Sequence, residues 1–337
     1  MPATAIDIGT HNIKALTGKP GSNPKIEKII STPNTTGIDY PSNDPDAEKL
    51  LNFLQTFIQD YKIPTSDVRL SLPEAAIATK IIDLPPLNQA ELASAIDWQA
   101  EQHIPIALEN LALEYKVLYK PPKNIKDEPM KVLLVGTRKD IVERYTNVFL
   151  NLGIQPKILE TQILSVIRAL GFEKSDPNTL VAHIGASHTQ LAIISQAQLK
   201  LVVNHQSGGN LLTKRLQQNI ENLNSEQAEQ YKKQYGLIPD QLQGKIYQAL
   251  LPAVDGITKD IQKTLRFYNS QNPNDEVIRL VLSGGTANLP GLIEHLAKNT
   301  NTEVLLISPF ATVEAEVPPD IDPRSMSVCM GLIMRKD

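Results

Sequence analysis

Short apolar runs that end at glycine-containing turns recur along the chain and predict its strands. Residues 5–8 form the first run, which turns at Gly9 and leaves as an alternating run that ends at Leu16. About half a chain length later, residues 181–184 turn at Gly185 and leave in the same way. Two copies of one strand–turn–strand unit indicate a duplicated domain.

The spacing of the remaining apolar positions predicts helices and further strands. A helix is predicted over residues 46–61, because Leu50, Leu51, Leu54 and Ile58 form one stripe at helical spacing. Other predicted helices cover residues 89–103, 140–152, 161–170, 253–268 and 325–335, and a helical stretch rich in Gln and Asn covers 211–247. Strands are predicted at residues 25–30, 68–72, 78–84, 111–118 and 131–137, the last two as a hairpin across the polar loop 120–129.

A third glycine turn follows the buried run at residues 277–282. It contains Gly284 and Gly285, and the Asn288 and Pro290 that come next signal the start of a helix. Read alone, this is an ordinary strand-to-helix turn. The two earlier turns place small residues beside glycine, which leaves N–H groups free to point at an anion. The three turns together predict a nucleotide site, with phosphates at the first two and the base and ribose at the third.

Composition limits the function classes without naming one. A chain of 337 residues is long enough for more than one domain. Its net charge of −4, from 33 basic and 37 acidic residues, gives no electrostatic indication of nucleic-acid binding. The only cysteine, Cys329, lies in an apolar run and is predicted to be a small buried hydrophobe, which suits a reducing compartment. With no signal-peptide pattern and no apolar run of ~18 residues, we expect a cytoplasmic chain without membrane insertion.

Beyond the three turns, four segments make the chain resemble the PilM family, the actin-like proteins of type IV pilus assembly. They are Glu91-Leu92 with residues 98–105, residues 132–139, Gly208-Gly209-Asn210 with Leu212-Thr213, and residues 265–268. The similarity extends from Ala5 to about Arg335. It implies an α/β fold of the actin-like ATPase type, with two duplicated RNase-H-like halves and an inserted small α+β subdomain of the SHS2 type.

The resemblance also implies a division of the chain. The first half covers residues 1–73, and the inserted subdomain covers residues 74–158. Residues 159–177 form a cross-over helix and return to the first half. The second half covers residues 178–309, and the C-terminal return to the first half covers residues 310–337.

A nucleotide site between the halves follows from the same resemblance, with ATP or ADP and Mg²⁺ as its ligands. Asp7 would organise water around Mg²⁺, a hard cation that keeps most of its waters. Lys14 would add positive charge at the phosphates. From the residues alone, Asp7 is also consistent with a carboxylate that accepts hydrogen bonds from a turn at the end of a strand. Lys14 is also consistent with a solvated strand residue. The predicted nucleotide-binding residues are Asp7, Gly9, Thr10, His11, Asn12, Lys14, His183, Gly185, Ala186, Ser187, His188, Gly208, Gly209, Asn210, Thr213, Lys214, Gly284, Gly285 and Thr286.

Two positions depart from the family pattern where chemistry is expected. The second phosphate turn normally begins with Asp and here begins with His183, a poor Mg²⁺ ligand that in its protonated form could pair with a phosphate. Gln162 stands at a cross-over position where a carboxylate is expected. Tight nucleotide binding with slow or absent hydrolysis is therefore predicted, so the chain is at most a weak ATPase. A metal pair of His183 and His188 is a minor alternative, because no third clustered ligand is visible.

Members of the resembled family bind the cytoplasmic N-terminal tail of PilN, an inner-membrane pilus protein, in a groove between the first subdomain and the insertion. A PilN-like tail is thus the predicted partner, and it would hold the chain at the inner membrane; other pilus assembly proteins and a second copy are further candidates. Leu84, Trp98 and Ile104 are predicted around the groove, although a tryptophan in this context is more often part of a core. The alternative functions are an FtsA-like filament protein and a small-molecule kinase, which would need a catalytic carboxylate facing a polar pocket.

Overall fold

The structure is a computed structural model that describes residues 2–122 and 128–336. Part of the polar loop predicted at residues 120–129 lies outside the described residues. The strands are β1 (Ala3–Ile8), β2 (Asn12–Lys19), β3 (Lys25–Pro33), β4 (Val68–Leu72), β5 (Ile77–Leu84), β6 (Leu111–Tyr119), β7 (Met130–Arg138), β8 (Ile158–Thr161), β9 (Thr179–Ile184), β10 (Thr189–Ser195), β11 (Gln198–His205), β12 (Arg279–Ser283) and β13 (Glu303–Leu306). The helices are α1 (Asp44–Asp60), α2 (Gln89–His103), α3 (Lys139–Leu150), α4 (Gln162–Leu170), α5 (Gly209–Asn219), α6 (Ser225–Tyr235), α7 (Lys245–Gln271), α8 (Leu292–Thr300) and α9 (Ser327–Met334).

Two of the sheets repeat one topology. The first has the strand order β3-β2-β1-β4-β8, and the second has the order β11-β10-β9-β12-β13. Along each order the first two pairings are antiparallel and the last two are parallel. The duplication predicted from the glycine turns is confirmed, and with it the two-halved α/β fold of the actin-like ATPases. Because the carboxyl ends of parallel strands meet at one edge of a sheet, this topology places the turns after β1 and β9 at corresponding edges.

A smaller sheet with the order β5-β7-β6 forms a separate layer. The predicted hairpin strands β6 and β7 do pair antiparallel. Helix α2 begins at a capping box formed by Asn88 and Glu91, and it covers one face of this sheet with Leu92, Ile96 and Ala100. An α+β unit therefore sits within the first half of the chain, as the resemblance implied.

Helix α3 packs on α1 of the first half as well as on β6 and β7 of the small sheet, although its residues fall inside the predicted insertion. Its Tyr145 and Phe149 are buried in the core of the first half, with Leu50 and Leu54 of α1. An amphipathic pattern shows that a helix has a buried face without showing which core that face joins. Helix α3 therefore contributes to the core of the first half, and the division of the chain stays a prediction.

The two predicted cross-over helices, α4 and α9, share one core with both large sheets. That core includes Val166 of α4, Val328 of α9, Ala5 of β1 and Val181 of β9. Cys329 is fully buried in α9, as its apolar surroundings predicted. Helix α7 begins at Lys245 and runs through Pro252, whereas the predicted helix begins at residue 253. Among the residues that the structure describes, no helix is both long and apolar enough to cross a bilayer.

Candidate functional site

A cavity of about 740 Å³ lies between the two large sheets. Its size is that of a small-molecule or cofactor site. Residues of all three glycine turns line it, together with the start of α4 and parts of α5, α6 and α8. Most of the predicted site residues line this one cavity: Asp7, Gly9, Thr10, His11, Asn12, Lys14, Gln162, His183, Gly185, Ala186, Ser187, His188, Gly209, Asn210, Gly284, Gly285 and Thr286.

Three predicted site residues do not line the cavity. Gly208 packs against the second turn, where an added Cβ would lie 2.7 Å from the carbonyl oxygens of Gly185 and Ala186. Thr213 is buried inside the second half, and Lys214 is exposed. Only the first residues of α5 reach the cavity, because the helix then carries its later side chains away from it. The predicted contact of Thr213 and Lys214 with the sugar and base stays a prediction that the cavity lining does not support.

The first two turns have the same geometry and face each other. The Gly9 N–H donates to the Asn12 carbonyl at 3.0 Å, and the Gly185 N–H donates to the His188 carbonyl at 2.9 Å. Where the two turns meet, the hydroxyl groups of Thr10 and Ser187 form a hydrogen bond of 2.8 Å. The duplication thus brings together two equivalent turns, one from each half.

Asp7 lies at the centre of a hydrogen-bonded group at one end of the cavity. Its Oδ1 accepts from the Ser71 hydroxyl at 2.7 Å and from the Gln162 amide at 2.8 Å, and its Oδ2 accepts from Lys14 Nζ at 3.0 Å. Burial opposes the charge of this carboxylate, but Lys14 and the hydrogen bonds hold the pKa of Asp7 below its usual value. Burial would likewise lower the pKa of Lys14, yet Asp7 raises it. The two groups therefore form a buried ion pair that faces the first turn.

His183 occupies the position in the second half that Asp7 occupies in the first. Asp7 pairs in register with Lys14, and His183 pairs in register with Gln190. Burial and the charge of Lys14 lower the pKa of His183 to about 4, although Asp7 opposes them. Its Nδ1 is 3.1 Å from the Ser283 hydroxyl. Without a ligand the imidazole is thus neutral near pH 7.

Sequence reasoning missed a charged group on α6 that lines the cavity. Lys232 is buried, and its Nζ donates to the Gly209 carbonyl at 3.1 Å and to the Glu229 carboxylate at 2.5 Å. Glu229 Oε1 lies 3.9 Å from His11 Nε2 of the first half, and Lys233 also lines the cavity. The spacing of Glu229, Lys232 and Lys233 places them on one helix face, which is the signal that could have identified them.

The segment between β13 and α9 contributes the wall beside the third turn. The Asn288 amide donates to Asp322, and Arg324 donates to the Asn288 side chain. These bonds tie the C-terminal segment to the turn that contains Gly284 and Gly285. The adjoining lining is largely apolar and comes from Leu289, Ile293, Leu306 and Ile321.

Glu74 is another carboxylate that lines the cavity and was not predicted. It follows β4 and is only 3% exposed. One oxygen accepts from the Ile163 N–H at 3.2 Å, and the other accepts from the Asn204 amide at 3.1 Å. Burial raises the pKa of Glu74 to about 7, although both hydrogen bonds oppose the shift.

The three predicted partner-groove residues differ in their exposure. Leu84 and Ile104 are buried in the core beneath α2. Trp98 is 57% exposed, so it is not the core tryptophan that its context suggested. Leu92, Ile96 and Ala100 form the buried stripe of α2, which turns Trp98 outward. In the described part of the chain, no group of three or more His, Cys, Asp or Glu residues could hold a metal ion.

Comparisons with known proteins identify solved structures with the same fold. A solved PilM-PilN type IV pilus biogenesis complex has a chain that is 22% identical with a TM-score of 0.84, and the match covers 98% of this chain and 97% of that one. EutJ, an ethanolamine utilization protein from Carboxydothermus hydrogenoformans, is 14% identical with a TM-score of 0.57 and coverages of 99% and 89%. MreB5 of Spiroplasma citri bound to ADP is 14% identical with a TM-score of 0.57 and coverages of 98% and 94%. These structures share the fold of this chain.

The family is established by sequence over nearly the whole chain. The family model for the type IV pilus assembly protein PilM matches residues 5–336. The match includes all three glycine turns, α4, α9 and the small sheet. This protein therefore belongs to the PilM family of type IV pilus assembly proteins.

Proposed function

We propose that this protein binds ATP or ADP between its halves and acts as an adaptor for the N-terminal tail of a PilN-like inner-membrane protein. The observation that carries the nucleotide assignment is the pair of equivalent glycine turns that face each other across one cavity. A protein held at the membrane in this way works from the cytoplasmic face as a peripheral component. Chemistry at the nucleotide is secondary to binding in this role.

The phosphate end of the cavity has the features that an anionic ligand requires. Two glycine turns and the buried Lys14 supply N–H donors and positive charge to the cavity. Mg²⁺ carried with the nucleotide fits this donor set, because it is commonly bound by one or two carboxylates together with phosphates and waters. Asp7 would meet it through water, and the ion would neutralise phosphate charge. The neutral His183 adds no charge there, which supports slow hydrolysis.

The opposite end suits a base and ribose. At Gly285 an added Cβ would meet nothing within 4 Å, so the backbone surface faces open space in the cavity. Leu289 and Ile293 add apolar contact area beside it. Glu229 is a carboxylate acceptor, as a ribose hydroxyl requires, and Lys232 holds it in place. We assign Gly284, Gly285 and Thr286 to the base side on this basis.

A nucleotide titration tests the first part of the proposal. A ligand that binds only the folded protein, at about 100 times its dissociation constant, adds about 2.7 kcal/mol of stability. We therefore expect the melting temperature of the purified, nucleotide-free protein to rise clearly with Mg-ATP or Mg-ADP in a thermal scan. An unchanged melting temperature at millimolar concentrations of both nucleotides would contradict the assignment.

The partner assignment is supported by a second groove, between α1 and α3. It has a volume of about 520 Å³, and its floor includes Ala47, Leu51 and Val148. The rim is mostly acidic, with Asp44, Glu48, Asp140 and Glu143 beside Arg144. An N-terminal tail carries a positive α-amino group, so charge and apolar contacts both fit this groove. We place the PilN-like tail here, between the first half and the end of the predicted insertion.

Charge reversal on this rim tests the partner assignment. Glu48→Arg is expected to weaken binding of a synthetic PilN-like N-terminal peptide about tenfold, because one exposed charge contact is worth about 1 kcal/mol and is here turned into repulsion. Glu101→Arg on the exposed side of α2 is the matched control and should bind the peptide normally. Fluorescence anisotropy with a labelled peptide measures both. Equal affinities for the wild type and Glu48→Arg would show that the tail binds elsewhere.

A further inference from the structure

Glu74 stands where four parts of the molecule meet. It joins β4 of the first sheet to β5 of the small sheet, and it accepts hydrogen bonds from the start of α4 and from Asn204 of β11 in the second half. Its side chain is almost fully buried and yet lines the cavity. Buried carboxylates are rare unless they are paired with a positive group. Within residues 2–122 and 128–336, no charged group is seen to contact Glu74, so ion pairing there does not explain its burial.

Asn204, which donates to Glu74, and Gln190, its partner in register, present two buried acceptors that have no partner among the described residues. These are Gln190 Oε1 and Asn204 Oδ1. The two residues are opposite each other on β10 and β11, and Gln190 is only 2% exposed. Its amide donates to Gln162 Oε1 at 3.1 Å, and Gln162 in turn donates to Asp7. Buried acceptors normally have a donor, so this pair points to a hydrogen-bond donor held between the cavity and Glu74.

We propose that Glu74 is the proton acceptor for a slow hydrolysis of bound ATP, and that the amide oxygens of Gln190 and Asn204 hold the attacking water beside it. This inference rests on the proposed nucleotide site. It adds a residue role and a reaction to what that site does. The water oxygen forms a bond to the terminal phosphorus, and the bond from that phosphorus to the bridging oxygen breaks with its electron pair left on ADP. One proton of the water passes to a Glu74 oxygen, the other stays on the phosphate, and Glu74 later releases its proton to solvent.

The other ionisable groups at this end of the cavity are less suited to the role. Lys14 holds the pKa of Asp7 below its usual value despite burial, which makes Asp7 a weak base. Burial lowers the pKa of His183 to about 4, so its imidazole is also a weak base. Asp39 lines the cavity too, and burial raises its pKa, but its carboxylate accepts from its own backbone and from the Tyr40 N–H. A proton acceptor works best when its pKa is close to the operating pH, and the pKa of Glu74 is about 7.

Single-turnover hydrolysis of radiolabelled ATP by the full-length protein tests the proposal. In Glu74→Gln the side chain keeps its size and one acceptor oxygen, but the amide cannot accept a proton at neutral pH. We expect it to hydrolyse ATP at least about 100-fold more slowly than the wild type, since a positioned base contributes about 10²–10⁴-fold. Glu173→Gln, at an exposed position after α4, carries the same substitution and should match the wild type. The thermal stabilisation by Mg-ATP should be retained in Glu74→Gln, which separates a loss of chemistry from a loss of binding.

The pH profile gives a readout that a purely structural role would not change. The wild-type rate should fall as the pH drops through about 7, because protonated Glu74 cannot accept a proton, and it should level off above that pH. In Glu74→Gln this dependence should disappear. Hydrolysis by Glu74→Gln at the wild-type rate would overturn the proposal. If the wild type hydrolyses ATP no faster than ATP hydrolyses in buffer, the proposed role of Glu74 is also overturned. The nucleotide site would then still be supported by the melting data. If ATP does not stabilise the wild type, the nucleotide site itself is overturned.

Discussion

Gly285→Val is expected to leave the protein folded and to abolish its stabilisation by nucleotide. An added Cβ at Gly285 meets nothing within 4 Å, and the backbone there does not adopt a left-handed conformation. The valine side chain would project into the cavity, where the proposed base and ribose lie against the turn. We expect the variant to melt like the wild type without ligand and to lose the gain of about 2.7 kcal/mol at the nucleotide concentration that saturates the wild type. Thermal scans with and without Mg-ATP measure both properties.

The neighbouring glycine provides the matched control for this variant. Gly284 has a φ of +87°, and an added Cβ would lie 2.5 Å from the Ile184 carbonyl oxygen. Gly284→Val should therefore destabilise the fold itself, because it combines backbone strain with a clash against β9. The contrast separates a glycine needed for folding from one needed for ligand approach. Full stabilisation of Gly285→Val by Mg-ATP would show that the base does not lie against this turn.

The parts of the site that sequence reasoning predicted are those fixed by local chemistry. A glycine between an apolar strand and small polar residues defines a turn within a few residues, so Gly9 and Gly185 were identifiable without tertiary information. The equivalence of their hydrogen bonds then follows from the repeated sequence pattern. The same reasoning predicted most strands and helices, since apolar periodicity is a local property.

The features of the site that sequence reasoning missed depend on tertiary contacts between segments that are distant in the sequence. Glu74 has no motif around it, and its raised pKa comes from burial beneath α4 and β11. Glu229 and Lys232 lay in a stretch that composition described only as Gln- and Asn-rich. The charge of His183 could not be judged from the sequence either, because its low pKa depends on burial and on Lys14. Trp98 was misjudged for the same reason, since a residue type does not tell which side of a helix faces the core.

The second large effect is expected at Gly331 in α9. An added Cβ there would lie 1.8 Å from the Ser165 carbonyl oxygen and 2.3 Å from its carbon, so the backbones of α4 and α9 touch at this point. Backbone atoms cannot rotate away as a side chain can, and the helices would have to separate within the core that joins both large sheets. Overpacking in a core typically costs about 1–3 kcal/mol, and this overlap is with backbone, so we expect Gly331→Ala to cost at least about 3 kcal/mol. That is a large part of a total stability of about 5–15 kcal/mol.

Urea unfolding of Gly331→Ala and Gly256→Ala checks this prediction with a matched pair. Gly256 is exposed in α7, and an added Cβ there meets nothing within 4 Å, so alanine should stabilise the helix by about 0.5–1 kcal/mol. The same substitution is thus expected to have opposite signs in the two helices. Separation of α4 from α9 would also move Gln162, which donates to Asp7, so any folded Gly331→Ala should bind nucleotide more weakly. If Gly331→Ala unfolds at the wild-type urea concentration, the two helices do not pack backbone to backbone, and the walls of the cavity are held together by other contacts.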